Sequence, residues 1–318
     1  MTAAQQPPDL ADIEQAAKRI SEYVHRTPVL TSRRLDELSA AQLFFKCENL
    51  QKVGAFKARG ASNAVLSLSA TEAASGVATH SSGNHGAALA MAAQRRGIPA
   101  HIVMPSNAPA VKKAAVASYG AVIVEVEPTL AAREGTLAEL LKETGAHLVH
   151  PYNDARVISG QGTTALELLE QVANLDVVVV PVGGGGLLAG VATAVKCLDP
   201  GIEVVAVEPA GADDAFRSFG LGELVPQTRP NTIADGLLTS LGELNFAIIQ
   251  QRVDTILTVP DEQIVQAMRL QWTRMKTLVE PSGAVSFAGV LEHPERFRNR
   301  RVGIVVSGGN LDLDALPW

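Results

Sequence analysis

Lys57 sits in the stretch AFKARG, where Gly54, Ala55, Ala58 and Gly60 leave room beside its amine for something bulky. A lysine in a crowded, apolar place has its charged form penalised, so its amine becomes available as a nucleophile or a base. Far downstream, VVVVPVGGGGLLAG places Gly183, Gly184, Gly185 and Gly186 directly after an apolar run and at the start of a helical pattern. Successive residues without side chains expose free backbone N–H groups at the positive end of a helix dipole, and such a turn cradles a phosphate. The stretch is not a P-loop, which needs a following lysine and serine or threonine, and Leu188 stands where the dinucleotide fingerprint requires its third glycine. Glu208, at the end of the next apolar run, does stand near where a ribose-binding acid would lie. A nicotinamide-dependent oxidoreductase therefore remains an alternative at this point, as does a cofactor-binding protein without turnover.

Two further loops carry polar groups suited to a site. THSSGNHGAA gathers Ser81, Ser82, Gly83, Asn84 and His85 at a strand-to-helix junction, where hydroxyls, an amide and backbone donors make a seat for a carboxylate. In VVSGGN, Ser307 ends an apolar run and Gly308 and Gly309 let the backbone turn sharply. An aldehyde-bearing phosphate cofactor accounts for the lysine and the tetraglycine loop together: Lys57 in Schiff-base linkage to pyridoxal 5′-phosphate, with the phosphate in residues 183–186.

The elements that must position these loops are legible as short apolar, β-branched runs: QLFFKCE, GVATHSSGNHG, HIVMP, AVIVEVE, HLVHPY, DVVVVPVGGGG, EVVAVEP, TILTV and RVGIVVSGGN. Between most of them lie alanine- and leucine-rich stretches of helical length, such as HGAALAMAAQRRG and GLLAGVATAVKCL. That alternation predicts an α/β fold with parallel sheets covered on both faces, whose ligands bind beyond the carboxyl ends of the strands. Leu10, Ile13, Ala17, Ile20 and Val24 predict a first helix capped by Asp9 and stopped by Pro28. In EQIVQAMRLQWTRMKTL, the face of Ile264, Met268, Trp272 and Met275 reads as core or a dimer contact. There is no fixed-period repeat and no low-complexity linker.

A chain of 318 residues with 47% hydrophobic and 19% charged residues has the balance of an ordinary globular protein, long enough to bury a core and a pocket. With a formal net charge of -6 and no lysine or arginine run, it lacks the electrostatic footprint for nucleic acid or an anionic membrane. No apolar run approaches the length of a membrane span and the first residues do not read as a leader, so a cytoplasmic location is expected. Cys47 and Cys197 are far apart without paired spacing, and both are expected to be buried and reduced rather than bridged or metal-bound.

GAFKARGA, SSGNHG, PVGGGGLLAG, VEPAGADD, IADGL, VEPSGAV and VSGGNLD, in order along nearly the whole chain, resemble the fold-type II pyridoxal-phosphate enzymes of the serine racemase, serine/threonine dehydratase and threo-3-hydroxyaspartate ammonia-lyase group. The resemblance implies a tryptophan synthase β-like fold of two open, twisted, mostly parallel sheets flanked by helices. It implies a large cofactor-binding domain from residues 1–75 and 152–318, with a small mobile domain from 76–151, and a homodimer. For the site it implies that Lys57 holds the cofactor beside Phe56, Asn84 bonds its ring hydroxyl, Gly183, Gly184, Gly185 and Gly186 hold its phosphate, and Ser307 meets its pyridine nitrogen. Ser82 would face the substrate opposite Lys57, with Ser81, Ser82, Gly83, Asn84 and His85 seating the α-carboxylate. Glu208, the carbonyl of Ala212 and Asp214 match a divalent-cation site for Mg2+, or Ca2+ or Mn2+. Arg133 matches an arginine at the substrate mouth, suited to a bidentate pair with a side-chain carboxylate. The implied reaction is loss of water and then ammonia from a small-molecule β-hydroxy amino acid, 3-hydroxyaspartate or serine first and threonine or phenylserine next, with racemisation as an accompanying activity.

Overall fold

The computed structural model describes residues 6–81 and 83–318. Strands β1 (Val29–Leu30), β2 (Gln42–Cys47), β7 (Val177–Pro181), β8 (Glu203–Pro209), β9 (Thr255–Val259) and β10 (Arg301–Val306) form one sheet in the order β1-β2-β10-β7-β8-β9. Strands β3 (Val77–His80), β4 (Ala100–Pro105), β5 (Val122–Val126) and β6 (His147–Leu148) form a second, in the order β5-β4-β3-β6. Every pairing is parallel except that of the short β1 on β2.

The apolar runs dictate this layering. Val177, Val179, Val205 and Val207 point into one core, while Val178, Val180, Val204 and Ala206 point into the core on the opposite face. Both faces of the six-stranded sheet are thus buried, which is why its strands lack polar alternation. Each fully buried valine contributes about 1.5–3 kcal/mol relative to exposure, so a one-residue register slip would gain nothing here. The second sheet repeats the arrangement on a smaller scale, with Val77, Ile102 and Met104 on one face and Ala78 and Val103 on the other. Helices follow nearly every strand, and the strand ends that open into loops all lie at carboxyl ends.

Several details differ from the sequence reading. The first helix, Leu10–Ile20, has the expected Asp9 cap, closed into a capping box by Asp12, but it ends well before Pro28 and buries Ala16 rather than Ala17. Cys47 is buried as expected, whereas Cys197 is exposed at the last turn of the helix Gly186–Leu198, on the side that faces solvent. Ile264 and Met268 are fully buried, with Trp272 and Met275 packed against the same core, so this face belongs to the interior of the chain.

Candidate active site

A cleft of about 510 Å³ opens where the carboxyl ends of the two sheets face each other, and the four loops singled out in the sequence converge on it. Lys57 is the first residue of the helix Lys57–Ser67. Its Nζ donates to the carbonyl of Pro151 at 2.8 Å and lies 5.1 Å from the centre of the Phe56 ring. Burial pushes its amine down from 10.5 to about 8. Backbone bonds set the neighbouring loop against it. Phe56 N–H donates to the Ser307 carbonyl at 3.0 Å and Gly309 N–H to the Gly54 carbonyl at 2.9 Å, so the turn after β10 is zipped to the segment that carries Lys57. Ser307 is itself buried, and its hydroxyl reaches only the Ser282 carbonyl, at 3.4 Å.

The tetraglycine turn lies across the cleft from this pair. Gly185 adopts a left-handed conformation, with φ at 88°, and a side chain there would meet Leu241 and Asn245. At Gly184 and Gly186 a side chain would run into Tyr152. The Gly184 carbonyl is tied back by Asn245 Nδ2 at 2.5 Å and by Gly242 N–H at 3.2 Å. The helix Gly186–Leu198 begins here, and its first N–H groups have no carbonyl ahead of them in the helix. The turn is therefore a backbone cradle with donors and no side chains, in contact with the cleft.

Around the lysine stand three imidazoles, His80, His85 and His150. His150 Nδ1 accepts the N–H groups of Asn153 at 2.9 Å and Tyr152 at 3.3 Å, which leaves its proton on Nε2. Burial, with His80 and Lys57 adding repulsion, pushes its pKa down to about 4, and burial holds His85 well below the usual imidazole range. His85 is inside the protein with Nε2 against the Val149 carbonyl at 3.2 Å. The Ser81 hydroxyl accepts the N–H groups of Gly83 at 3.3 Å and Gly86 at 3.1 Å, closing the turn that opens the helix Asn84–Arg96. Ser82 lies outside the described residues. Arg133, on the helix Leu130–Thr144, is partly exposed on the cleft wall near His80 and makes no ion pair among the described residues.

Glu208 and Asp214 do not line the cleft. Glu208 ends β8 fully buried, accepting the N–H groups of Ala215 at 3.1 Å and Phe216 at 2.8 Å. Burial drives its carboxyl up to about 9, and the charges of Asp214 and Asp213 add to the rise against those two backbone donors. Asp214, raised to about 6 by burial, accepts the Leu241 N–H at 2.7 Å. Ala212, also buried, lies in the short helical turn Ala210–Ala212 between them. Among the described residues no three histidine, cysteine, aspartate or glutamate side chains converge on one point, so the set is two carboxylates and a carbonyl. The burial of Glu208 against backbone donors also removes it from any role as a ribose-binding acid.

Reasoning from sequence missed Glu280, Asn310 and Tyr152 as side chains of the site. Glu280 and Asn310 lie in VEPSGAV and VSGGNLD, but an acid immediately before a proline-led helix reads as a dipole-complementing residue, and nothing local reveals its partner on a distant loop.

A lysine with a lowered pKa, a side-chain-free phosphate cradle and a buried serine hydroxyl around one cleft at the carboxyl ends of parallel strands define a pyridoxal-phosphate site of the fold-type II kind. The chain belongs to the pyridoxal-phosphate dependent enzymes, whose family model matches residues 20–308. It is 51% identical over 311 residues to a β-hydroxyaspartate dehydratase of Paracoccus denitrificans, covering 98% of this chain and 99% of that protein. It is 51% identical over 315 residues to a serine racemase of Arabidopsis thaliana, covering 97% and 95%. The crystal structure of serine racemase from Dictyostelium discoideum superposes with a TM-score of 0.92 at 48% identity, over 96% of this chain and 99% of that one. The cleft fits the cofactor on its own terms: a buried amine stands in it, and the glycine turn that borders it packs so closely on Leu237, Tyr152 and Leu241 that it presents backbone and no side chains.

Proposed function

We propose that this enzyme removes water and then ammonia from a β-hydroxy amino acid, with 3-hydroxyaspartate as the leading substrate and serine next. The observation that carries the reading is that one cleft is lined both by Lys57, its amine lowered by burial, and by Arg133, whose guanidinium makes no ion pair among the described residues. The β-hydroxyaspartate dehydratase among the relatives supports the choice of a dicarboxylic substrate.

Bound here, the cofactor supplies an electron sink for the pair left behind when the Cα–H bond breaks. Lys57 Nζ would hold it covalently, and the free amine of Lys57 would be the base that takes the α-proton. The N–H groups of residues 183–186 bind its phosphate, Asn84 its ring hydroxyl, and Phe56 lies beside it. Ser307 offers a neutral hydroxyl to the ring nitrogen, and unlike a carboxylate it does not favour protonating the ring. The turn of Ser81, Gly83, Asn84 and His85 receives the α-carboxylate, and Ser82 serves as the proton donor or acceptor on the opposite face, which also permits racemisation. Arg133 pairs with the side-chain carboxylate. The β-hydroxyl leaves as water with one added proton, and the enamine product hydrolyses to a keto acid and ammonia. Glu208, the Ala212 carbonyl and Asp214 hold a divalent cation, Mg2+ before Ca2+ or Mn2+, whose charge would relieve the repulsion between two buried carboxylates.

The test is keto acid release with magnesium from serine, threonine, phenylserine and the diastereomers of 3-hydroxyaspartate, each offered alone. Oxaloacetate is expected to dominate, and Arg133→Ala is expected to lower kcat/KM for hydroxyaspartate by roughly 100-fold while leaving serine within a few-fold, the loss appropriate to a charge-assisted pair. Equal loss on both substrates removes the role given to Arg133. A preparation without a visible band, or with a band that borohydride does not fix to Lys57, removes the whole reading.

A further inference from the structure

Three of the motifs meet in a chain of side-chain hydrogen bonds that borders the cleft: Asn84 from the start of the helix Asn84–Arg96, Glu280 from the start of the helix Pro281–Glu292, and Asn310 from the turn after β10. Asn84 Nδ2 donates to Glu280 Oε1 at 2.9 Å. Asn310 Nδ2 donates to Asn84 Oδ1 at 2.9 Å and also to the Val53 carbonyl at 2.6 Å. Glu280 is only 3% exposed, and its own N–H donates to the Gly308 carbonyl at 3.1 Å. Gly308 has to be a glycine because a Cβ there would run into the Glu280 carboxylate and come within 3.3 Å of Asn84 Nδ2.

A carboxamide has two ends of nearly equal shape, and only its partners decide which one faces which way. Here a carboxylate oxygen, which accepts, sits on one end of Asn84, and an amide N–H, which donates, sits on the other. Turning the Asn84 group over would set N–H against N–H at Asn310, whose amide is held by its own bond to the Val53 carbonyl, and oxygen against oxygen at Glu280 whenever that carboxyl is ionised, in a buried place where unpaired polar groups are costly. We propose that Glu280 and Asn310 are positioning residues that lock the Asn84 carboxamide so that its second, unshared N–H is presented to the cofactor ring. Burial raises the Glu280 carboxyl to about 8, and the bond of Asn310 Nδ2 to the Val53 carbonyl keeps that amide donating to Asn84 when the carboxyl is neutral. Asn84 is carried by the element next to the four-stranded sheet, and its two partners by elements of the six-stranded one. The lock thus ties a cofactor contact to the relation between the sheets. The inference rests on the cofactor reading above.

The experiment uses the purified holoenzyme and three near-isosteric variants, Asn310→Asp, Glu280→Met and Glu280→Gln, read by the position of the visible cofactor band and by the rate of cofactor loss to an excess of a carbonyl scavenger. Asn310→Asp replaces the donor with an acceptor and Glu280→Met removes the acceptor; each is expected to shift the band and to speed cofactor loss at least tenfold. Glu280→Gln keeps an acceptor and is expected to stay within about threefold of wild type. Unfolding midpoints of the apo forms separate this from general destabilisation, because a merely weakened fold leaves the band where it was. Wild-type band position and release rate in both Asn310→Asp and Glu280→Met overturn the lock while leaving the function reading intact. A wild-type enzyme without a borohydride-fixed band at Lys57 overturns the function reading itself.

Discussion

At the scale of single residues, the decisive quantity is the free-amine fraction of Lys57. Burial is the one cause that moves it, and among the described residues no carboxylate pairs with it. An amine that titrates near 8 rather than 10.5 is unprotonated at pH 7 roughly 300 times more often. The neutral form that attacks an aldehyde grows as pH rises, reaches one half at the folded-state pKa and saturates about one unit above it. Capture of pyridoxal phosphate by the apo protein, followed as growth of the visible band, should therefore accelerate through about pH 8 and level off by about pH 9. A rate still climbing at pH 10 would mean that the cleft does not desolvate Lys57 as its surroundings imply. The neighbouring imidazoles His85 and His150 are held neutral at pH 7, so they add no like-charge repulsion and the shift of the amine is left to burial.

At the scale of elements, the question is what fixes the helix whose first residue is Lys57. Arg59, one turn in, is completely buried. Its guanidinium binds Glu48 at 2.7 and 2.8 Å and Glu167 at 2.7 and 2.8 Å. Lys46, equally buried, binds Glu167 at 2.6 Å, Gln171 at 2.9 Å and the Thr27 carbonyl at 2.8 Å. Two cations and two anions thus cancel between β2, the helix Lys57–Ser67 and the helix Ala155–Gln171. Such clusters add little net stability when complete, but removing one member strands the others in low dielectric. Arg59→Met should cost about 3–5 kcal/mol in chemical denaturation, far more than the 0–1 kcal/mol expected for the surface pair of Arg34 and Glu37. A loss below about 1 kcal/mol would show that water enters the cluster and solvates the freed carboxylates. This cluster also marks where the sequence stopped being legible. The inner strands β3, β4, β7, β8 and β10 were readable because both of their faces are buried, which makes the run itself apolar, and the edge strands β5 and β9 were readable from their β-branched residues. The two-residue β1 was not, since it is too short to carry a pattern. The glycine turn and Lys57 were readable as local patterns, and both line the cleft. Arg59 and Glu280 were not, because their partners lie on distant segments and each looks locally like an ordinary helix-start residue.

At the scale of the whole molecule, the carboxylate pair and the cofactor cleft are parts of one mechanical chain. Glu208 closes β8, and Asp214, at the start of the next helix, takes the N–H of Leu241 at 2.7 Å. Leu241 packs under the glycine turn, where a side chain on Gly185 would approach it to 2.6 Å. Whatever neutralises the buried carboxylates therefore also steadies the floor of the phosphate cradle. A divalent cation that binds only the folded chain stabilises it by RT ln(1 + [L]/Kd), about 2.7 kcal/mol when the ion is 100-fold above its Kd. At about 2–4 °C per kcal/mol, magnesium should raise the unfolding midpoint of the holoenzyme by several degrees. The same addition should slow cofactor loss, and a chelator should reverse both. In Asp214→Ala, which keeps Glu208 but removes one ligand and the Leu241 tether, both responses to magnesium should vanish together. Magnesium that moves the midpoint in wild type and in Asp214→Ala alike would place the ion elsewhere on the protein. A midpoint that rises without any change in cofactor loss would break the link between the carboxylates and the cradle, and confine the metal to a purely local structural role.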